Sequence, residues 1–311
     1  MGSRVQVVGA GAVGSYYGAL LARDGHEVTL VARGAHLDAL RAQAAIRVRE
    51  ADRSMWQVPV AAVDAPVEGA DLVIVATKSH HTTEAARALA PVLAPGAPVL
   101  SLQNGVENVE RLAAVVGAER VLGGIAFVGL RIHVPGTVDH QAQGWVRFGD
   151  PAGLTPRAHA VHAIVSRSWD VTLSPDIVHD QWHKLLWNAG FNAVCAISGA
   201  TAGRALATPE PRWLVRAAMD EVVAVAARHG VHLTEDEVEG MAAYDEQLRD
   251  YRPSTAQDVE AGKRLERDAL CGFIAREGRR LGLDTVVNDT LDRLLQLRDV
   301  PDEAGGPSHV S

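Results

Sequence analysis

The residues Gly9-Ala10-Gly11-Ala12-Val13-Gly14 constrain the fold more than any other stretch of the chain. A GxGxxG pattern alone is a weak signal, because a turn of small residues has the same look. Here it follows the apolar run Arg4 to Val8, which reads as a buried strand, and it opens a helical pattern from Ala12 to Ala22 with Gly25 as its stop. A second β-rich run, Glu27 to Val31, completes a βαβ unit. In that setting each glycine has its own task. The first permits a tight turn, the second lets backbone approach a diphosphate, and the third lets helix pack closely on strand. The helix N-terminus then offers amide N–H groups and the positive end of its dipole to phosphate. Gly9, Ala10, Gly11, Ala12, Val13 and Gly14 are therefore candidate dinucleotide contacts.

The alternation continues. Leu72 to Ala76, Pro98 to Leu102 and Val121 to Ala126 read as strands, with helical patterns over Thr82 to Leu93 and Val106 to Val115. Such an order implies a mostly parallel, doubly wound sheet covered on both faces. From Arg131 to Phe148 the pattern becomes hairpin-like, with turn signals at Pro135-Gly136 and Gln143-Gly144. After Ser174 helical patterns dominate: Val178 to Ile197, Arg212 to His229, Glu235 to Arg249, Glu260 to Leu281 and Val286 to Leu297. The expectation is an α/β chain, with a Rossmann domain over residues 1–172, an all-α domain over 173–300 and a disordered tail over 301–311. A length of 311 residues suits two domains, at about 150 residues each.

Charge and composition narrow the function. A net charge of −8 gives no basic footprint for nucleic acid. No apolar run approaches the roughly 20 residues that a membrane span needs. The start of the chain shows no signal-peptide pattern, and two cysteines, Cys195 and Cys271, make neither a disulfide framework nor a metal cage. Both lie in apolar helical runs and read as buried thiols, so the expected setting is the cytoplasm. His80-His81 has no third ligand at metal spacing, so no metal is expected.

The end of the second strand selects the cofactor. A chain that grips the ribose 2′-hydroxyl of NAD usually carries an acid there. This one reads Val31-Ala32-Arg33-Gly34, and Arg33 is suited to a 2′-phosphate, so NADP(H) is expected. The bland reading of Arg33 is a solvated loop cation. Lys78 in Thr77-Lys78 and Asn104 in Leu102-Gln103-Asn104-Gly105 stand at strand ends, where ligands bind in open α/β sheets, although Asn-Gly is also a common turn. Lys184, Asn188 and Asn192 recur every four residues in an apolar segment and fall along one slowly turning helical stripe. They serve either as interdomain hydrogen bonders or as a site; a lysine in apolar surroundings has a lowered pKa and can donate a proton.

Taken in order and spacing, these motifs resemble those of the ketopantoate reductases (2-dehydropantoate 2-reductases) over nearly the whole chain. The matching segments are the Gly9 turn with Arg33, Thr77-Lys78, Leu102 to Gly105, Pro135-Gly136-Thr137-Val138, Lys184-Leu185-Leu186-Trp187-Asn188 with Asn192, Arg252-Pro253-Ser254 with Asp258, and Glu266. The resemblance implies that Lys184 is the catalytic proton donor and that Glu266 is its acidic partner, also near the cofactor. It implies that Asn188, Asn192, Ser254 and Asn104 bind substrate, with Asn104 between substrate and cofactor and Lys78 lining the cofactor site. By itself, Glu266 in a charged run reads as a solvated helix face. The chain departs from the family pattern at Thr255, Leu265, Cys271 and Val287.

The expected activity is NADPH-dependent reduction of a 2-oxo acid, foremost 2-dehydropantoate to pantoate in pantothenate biosynthesis. Two alternatives stand beside it: reduction of another 2-oxo acid or ketone, or a non-catalytic NADP(H)-binding sensor. The expected partner is a small-molecule 2-oxo acid, and the sequence leaves a monomer and a homodimer both open.

Overall fold

The computed structural model describes residues 2–243 and 246–299. The tail over 301–311, expected to be disordered, lies outside the described residues. The chain folds as two compact units, with the division at Gln181/Trp182.

The first unit is built on ten strands: β1 (Arg4–Val8), β2 (Glu27–Val31), β3 (Ala45–Arg49), β4 (Met55–Pro59), β5 (Ala61–Val63), β6 (Leu72–Val75), β7 (Val99–Ser101), β8 (Val121–Val134), β9 (Thr137–Gly149) and β10 (Asp170–Leu173). All belong to one sheet in the order β4-β3-β9-β8-β7-β6-β1-β2-β5, with β10 paired to β9. The stretch β5-β2-β1-β6-β7-β8 is parallel throughout. It is the doubly wound order of a Rossmann domain, whose strand order reverses between β1 and β6. Ligands bind beyond the carboxyl ends of the strands at such a reversal.

Strand periodicity explains why both faces are covered. On β6, Leu72 and Ile74 pack in one core cluster while Val73 and Val75 pack in another. On β1, Val5 and Val7 join the first cluster and Val8 the second. A strand buried on both sides carries a continuous apolar run, as β6 does. β1 breaks its run with the buried Gln6, whose Oε1 accepts from the Val67 N–H at 2.7 Å. The helix Ala12–Arg23 contributes Tyr16, Tyr17, Leu20 and Leu21 to the first cluster. The Tyr17 hydroxyl donates to the Gly144 carbonyl at 3.2 Å, and the Trp169 indole N–H donates to the Tyr17 carbonyl at 3.1 Å. These bonds tie the first helix to β9 and to the segment leading into β10.

Two sequence readings change. Gln143-Gly144 is not a second turn, because β9 runs through it. The register pairs Phe127 with Trp145 and Val128 with Gln143, so Gly144 is the extra residue of a bulge. Positive φ at both Gln143 and Gly144 accommodates it. The hairpin of β3 and β4 was not legible, since short strands of mixed polarity carry little periodic signal.

The second unit is helical among its described residues. The long helical stretch at its start comprises Ile177–Trp187, a π-helical turn over Asn188–Asn192, and Ala193–Ser198. The helices Ala202–Leu206, Pro209–Arg228, Glu235–Met241, Ser254–Glu260, Cys271–Leu281 and Val286–Gln296 follow. The expected helix over Glu235 to Arg249 ends at Met241. The expected helix over Glu260 to Leu281 also does not form as one piece. The preceding helix ends at Glu260, Gly262 takes φ +61°, and Leu270 takes φ −115° and ψ −110° before Cys271. Residues 261–270 are thus a folded loop with one 3-10 turn at Arg267–Ala269.

Helix ends in this unit are closed by specific bonds. Thr234 and Glu237 form a reciprocal capping box. The Glu221 carboxylate accepts from the Val287 and Asn288 backbone N–H groups, both at 2.8 Å, fixing the start of the last helix. Cys195 and Cys271 are buried and unpaired, and burial pushes both thiols up to about 12, which leaves them protonated and unreactive.

The fully buried Phe148 of β9 lies in the first core cluster. Phe148→Ala is expected to cost about 3–5 kcal/mol in the first unit's unfolding, read from urea denaturation. A loss below about 1 kcal/mol would show that this end of the sheet is not close-packed.

Candidate active site

The glycine turn sits at the sheet's reversal point for steric reasons. Gly9 has φ +97°, and a Cβ there would lie 2.5 Å from the Thr77 backbone nitrogen, so the turn after β1 presses directly on the loop after β6. A Cβ on Gly14 would lie 2.3 Å from the Gly9 carbonyl oxygen and 2.9 Å from Val7, so helix and strand meet at backbone distance. Gly11 differs: nothing lies within 4 Å of its would-be Cβ. It faces open space beside the start of the Ala12–Arg23 helix, which has no side-chain cap and no acid in its first turn. The Gly9 and Ala10 N–H groups donate to the Val31 carbonyl, at 3.2 and 2.9 Å, and fix the turn. The helix start from Gly11 to Gly14 offers N–H groups without a side-chain cap, a positive dipole end and room for a diphosphate.

Arg33 follows β2 and caps the helix Gly34–Gln43 with an extended backbone. Its side chain is 71% exposed and donates to Glu84 Oε1 at 2.6 Å. That bond holds the Glu84 carboxyl below its usual range, with a further contribution from His81. The guanidinium is thus solvent-facing and already engaged by an anion. Sequence reasoning missed Glu84, which lies 51 positions away in the chain.

Lys78 and Asn104 stand in the loops after β6 and β7, and a buried polar network joins these loops. The Gln103 amide donates to the Thr77 carbonyl at 3.1 Å, to the Thr77 hydroxyl at 3.0 Å and to the Thr82 hydroxyl at 2.8 Å. The Thr82 hydroxyl bonds to Asn108 Oδ1 at 2.7 Å, and Asn108 Nδ2 donates to the Asn104 carbonyl at 2.7 Å. A network satisfied inside low-dielectric protein is stiff. Gln103, Thr82 and Asn108 thereby fix both loop backbones, a role the sequence showed only as a polar cluster around an Asn-Gly turn.

The second unit carries a separate polar group. Lys184 lies in the last turn of Ile177–Trp187, and Asn188 and Asn192 bound the π-helical turn. The expected unbroken α-helical stripe is therefore widened at these asparagines. Asn192 Nδ2 donates to Asn188 Oδ1 at 3.2 Å and to the Ser254 hydroxyl at 3.5 Å. Asn192 is 1% exposed, and its Oδ1 is buried with no hydrogen-bond partner. Such an orphaned acceptor is costly unless another group supplies a donor. Gly190 lets the widened turn pack closely, because a Cβ there would lie 3.1 Å from Met219 and 3.2 Å from Val215 on the Pro209–Arg228 helix.

Lys184 is partly buried, and its ammonium is partly stripped of water. Loss of hydration lowers its pKa from 10.5 to about 8, against an upward pull from the negative charge of Glu266. Glu266 is 7% exposed and sits in the folded loop, not on a solvated helix face. The structure thus brings Lys184 and Glu266 within electrostatic reach, and Asn188, Asn192 and Ser254 within one hydrogen-bonded set.

The model of Ketopantoate reductase PanE/ApbA matches residues 5–153, and that of its C-terminal domain matches residues 176–299. A 2-dehydropantoate 2-reductase of Archaeoglobus fulgidus is 34% identical, over 94% of this chain and 97% of its own. The crystal structure of a PanE/ApbA family ketopantoate reductase from Ralstonia eutropha superposes with a TM-score of 0.87 at 37% identity, covering 95% of this chain and 98% of that one. A D-mandelate dehydrogenase with NADH and anilino(oxo)acetate shares the fold, with a TM-score of 0.88 at 23% identity over 95% of this chain and 98% of its own. Fold, site and relatives define an NAD(P)-dependent oxidoreductase that acts on a keto or hydroxyl group. Within that class, the chain belongs to the ketopantoate reductase family.

No helix among the described residues is long and apolar enough to cross a membrane.

Gly9→Ala should strain the turn and push against the Thr77 backbone. Reduced-nicotinamide cofactor is then expected to bind at least about tenfold more weakly, a loss of about 1.4 kcal/mol or more, by fluorescence titration. Unaltered affinity would remove the turn from the cofactor site.

Proposed function

We propose that the protein reduces 2-dehydropantoate to pantoate with NADPH, with Lys184 as the proton donor. The feature that carries this reading is a partly buried lysine, its pKa drawn down to about 8 by lost hydration, within electrostatic reach of the buried Glu266 carboxylate. A 2-oxo acid develops negative charge on its carbonyl oxygen during reduction. A cation held there stabilises that charge and then releases a proton to it. NADPH supplies the hydride. The chain's own residues bind, orient and protonate.

The remaining roles follow from the two polar groups. Gly9 to Gly14 would hold the diphosphate, with Lys78 and Asn104 on the stiffened loops facing the rest of the cofactor. Residues 1–172 would form the cofactor domain, and residues 173–300 would form the substrate domain. Asn188, Asn192 and Ser254 would orient the substrate. The orphaned Oδ1 of Asn192 favours a substrate that brings a hydroxyl donor, as 2-dehydropantoate does. Arg33 supports NADP(H), since Glu84 already shows that an anion can reach its guanidinium. Two buried free thiols suit a reducing, cytoplasmic setting.

A second reading, reduction of another 2-oxo acid or ketone, draws support from the altered neighbours of the site. Thr255, Leu265 and Cys271 are all buried, so their identities shape the packing around Ser254 and Glu266. A non-catalytic sensor has no use for a lysine desolvated beside an acid.

NADPH oxidation across a panel of 2-oxo acids tests the proposal, with fastest turnover expected for 2-dehydropantoate. No turnover with any 2-oxo acid despite tight NADPH binding would favour the sensor. Lys184→Ala should lower kcat by about 100-fold or more while NADPH affinity holds. A donor must be protonated, so kcat/KM for reduction should be full below and decline as pH rises through about 8. An alkaline limb near the ordinary lysine value would contradict a desolvated ammonium. Arg33→Ala should weaken NADPH far more than NADH; equal losses would rule out the 2′-phosphate contact.

A further inference from the structure

Glu266 lies in an irregular loop, yet it must hold a fixed place for its charge to act on Lys184 with any constancy. Its own backbone gives only modest help: Glu266 takes φ −90° and ψ 24°, and its carbonyl accepts from the Ala269 N–H at 3.0 Å. The stronger restraints act on its two neighbours, and they come from the far end of the chain. The Leu265 N–H donates to Asp299 Oδ1 at 2.8 Å, and Arg267 Nε donates to Asp299 Oδ2 at 3.3 Å. One carboxylate therefore grips the residues immediately before and after Glu266. Arg267 is held further by Asp292 Oδ1 at 2.8 Å, on the helix Val286–Gln296, and by Asp268 Oδ1 at 3.2 Å.

This grip differs from an ordinary surface ion pair. The side chains of Arg267, Asp292 and Asp299 are only 16%, 18% and 17% exposed. Charge-assisted bonds with so little solvent competition hold geometry better than exposed pairs do. The packing beneath them is built to the same end. A Cβ on Gly272 would lie 2.8 Å from Asp292 Oδ1 and 2.9 Å from the Arg267 carbonyl oxygen, so a glycine is required for the last helix to come this close. Leu265 is buried at 3%, which anchors the same loop from its apolar side.

We propose that Asp299 is a positioning residue of the active site, holding Glu266 in place for Lys184 through the Leu265 backbone and the Arg267 side chain. The inference rests on the roles given above to Lys184 and Glu266. It assigns a task in the reaction to a residue that follows the last helix and touches no reacting group. The chemistry also predicts how substitution should act. Asparagine at 299 keeps an acceptor for the Leu265 N–H but loses the charge that binds Arg267. Alanine loses both.

The test compares Asp299→Ala, Asp299→Asn and Glu266→Gln with the wild-type chain in steady-state reduction of 2-dehydropantoate, or of the best 2-oxo acid in the panel. Thermal unfolding and NADPH affinity are measured in parallel. Asp299→Ala is expected to lower kcat/KM for the 2-oxo acid by about 10- to 100-fold, the scale of a small misplacement of a catalytic group. NADPH affinity should hold, and Asp299→Asn should recover part of the loss. The alkaline limb of the pH profile should move to lower pH in Asp299→Ala, because Lys184 loses part of the field that favours its charged form. Wild-type kcat/KM in Asp299→Ala, with Glu266→Gln impaired, would overturn the positioning role alone. A loss that only follows a fall in melting temperature, with the alkaline limb unmoved, would overturn it as well. If Glu266→Gln itself retains full kcat/KM, the reading of Glu266 fails, and the role of Asp299 with it.

Discussion

The contact between Gly9 and the Thr77 backbone organises the first unit. It is possible only because position 9 has no side chain and tolerates φ +97°. By letting the turn after β1 settle against the loop after β6, it closes the reversal point of the parallel sheet. The first helix can then start beside open space at Gly11, with its N–H groups uncapped. The loops bearing Lys78 and Asn104 are joined to each other by Gln103, Thr82 and Asn108, so the edge that would receive a cofactor is stiff before anything binds. Preorganised donors of this kind need little rearrangement when charge arrives.

The second unit follows a different logic, in which polar groups are forced into an apolar frame. Lys184, Asn188 and Asn192 stand on a helix whose neighbours include Leu185, Leu186 and Phe191, all fully buried. Burial there disfavours charge and penalises unmet hydrogen bonds. The lysine answers with a lowered pKa and an acidic counter-charge, and the asparagines with mutual bonding across a π-helical turn. Turns of that type recur at functional sites, since they widen the helix and redirect side chains. One acceptor, Asn192 Oδ1, is left over with no partner inside the protein.

Much of this was legible in the sequence because it depends on short-range rules. Short apolar runs placed β1, β2 and β6 nearly to the residue, the first of them broken by Gly9, and the four-residue spacing of Lys184, Asn188 and Asn192 put them on one helical stretch. The errors occurred where local pattern and tertiary context disagree. Residues 260–281 have helical composition, yet Gly262 and the bonds from Asp292 and Asp299 hold 261–270 as a loop. Glu266, which reads as a solvated helix residue, is buried for that reason. Gln143-Gly144 has turn chemistry but becomes a bulge, because β9 runs on beside β8 and carries Gly144 as its extra residue.

The sequence by itself determined that the chain carries a Rossmann unit followed by a helical region, with a lysine and two asparagines along one stripe of an apolar helical segment. Those features follow from periodicity, from glycine's conformational range and from the cost of burying charge, all of which act within a few residues. Only the tertiary structure decided that Arg33 meets Glu84, that Gln103 joins two loops, that the asparagine helix widens by a π turn, and that Asp299 reaches back to the loop of Glu266. Each of these depends on partners distant in the chain or on packing against another helix. Their meeting is set by how the elements pack, which no local pattern records.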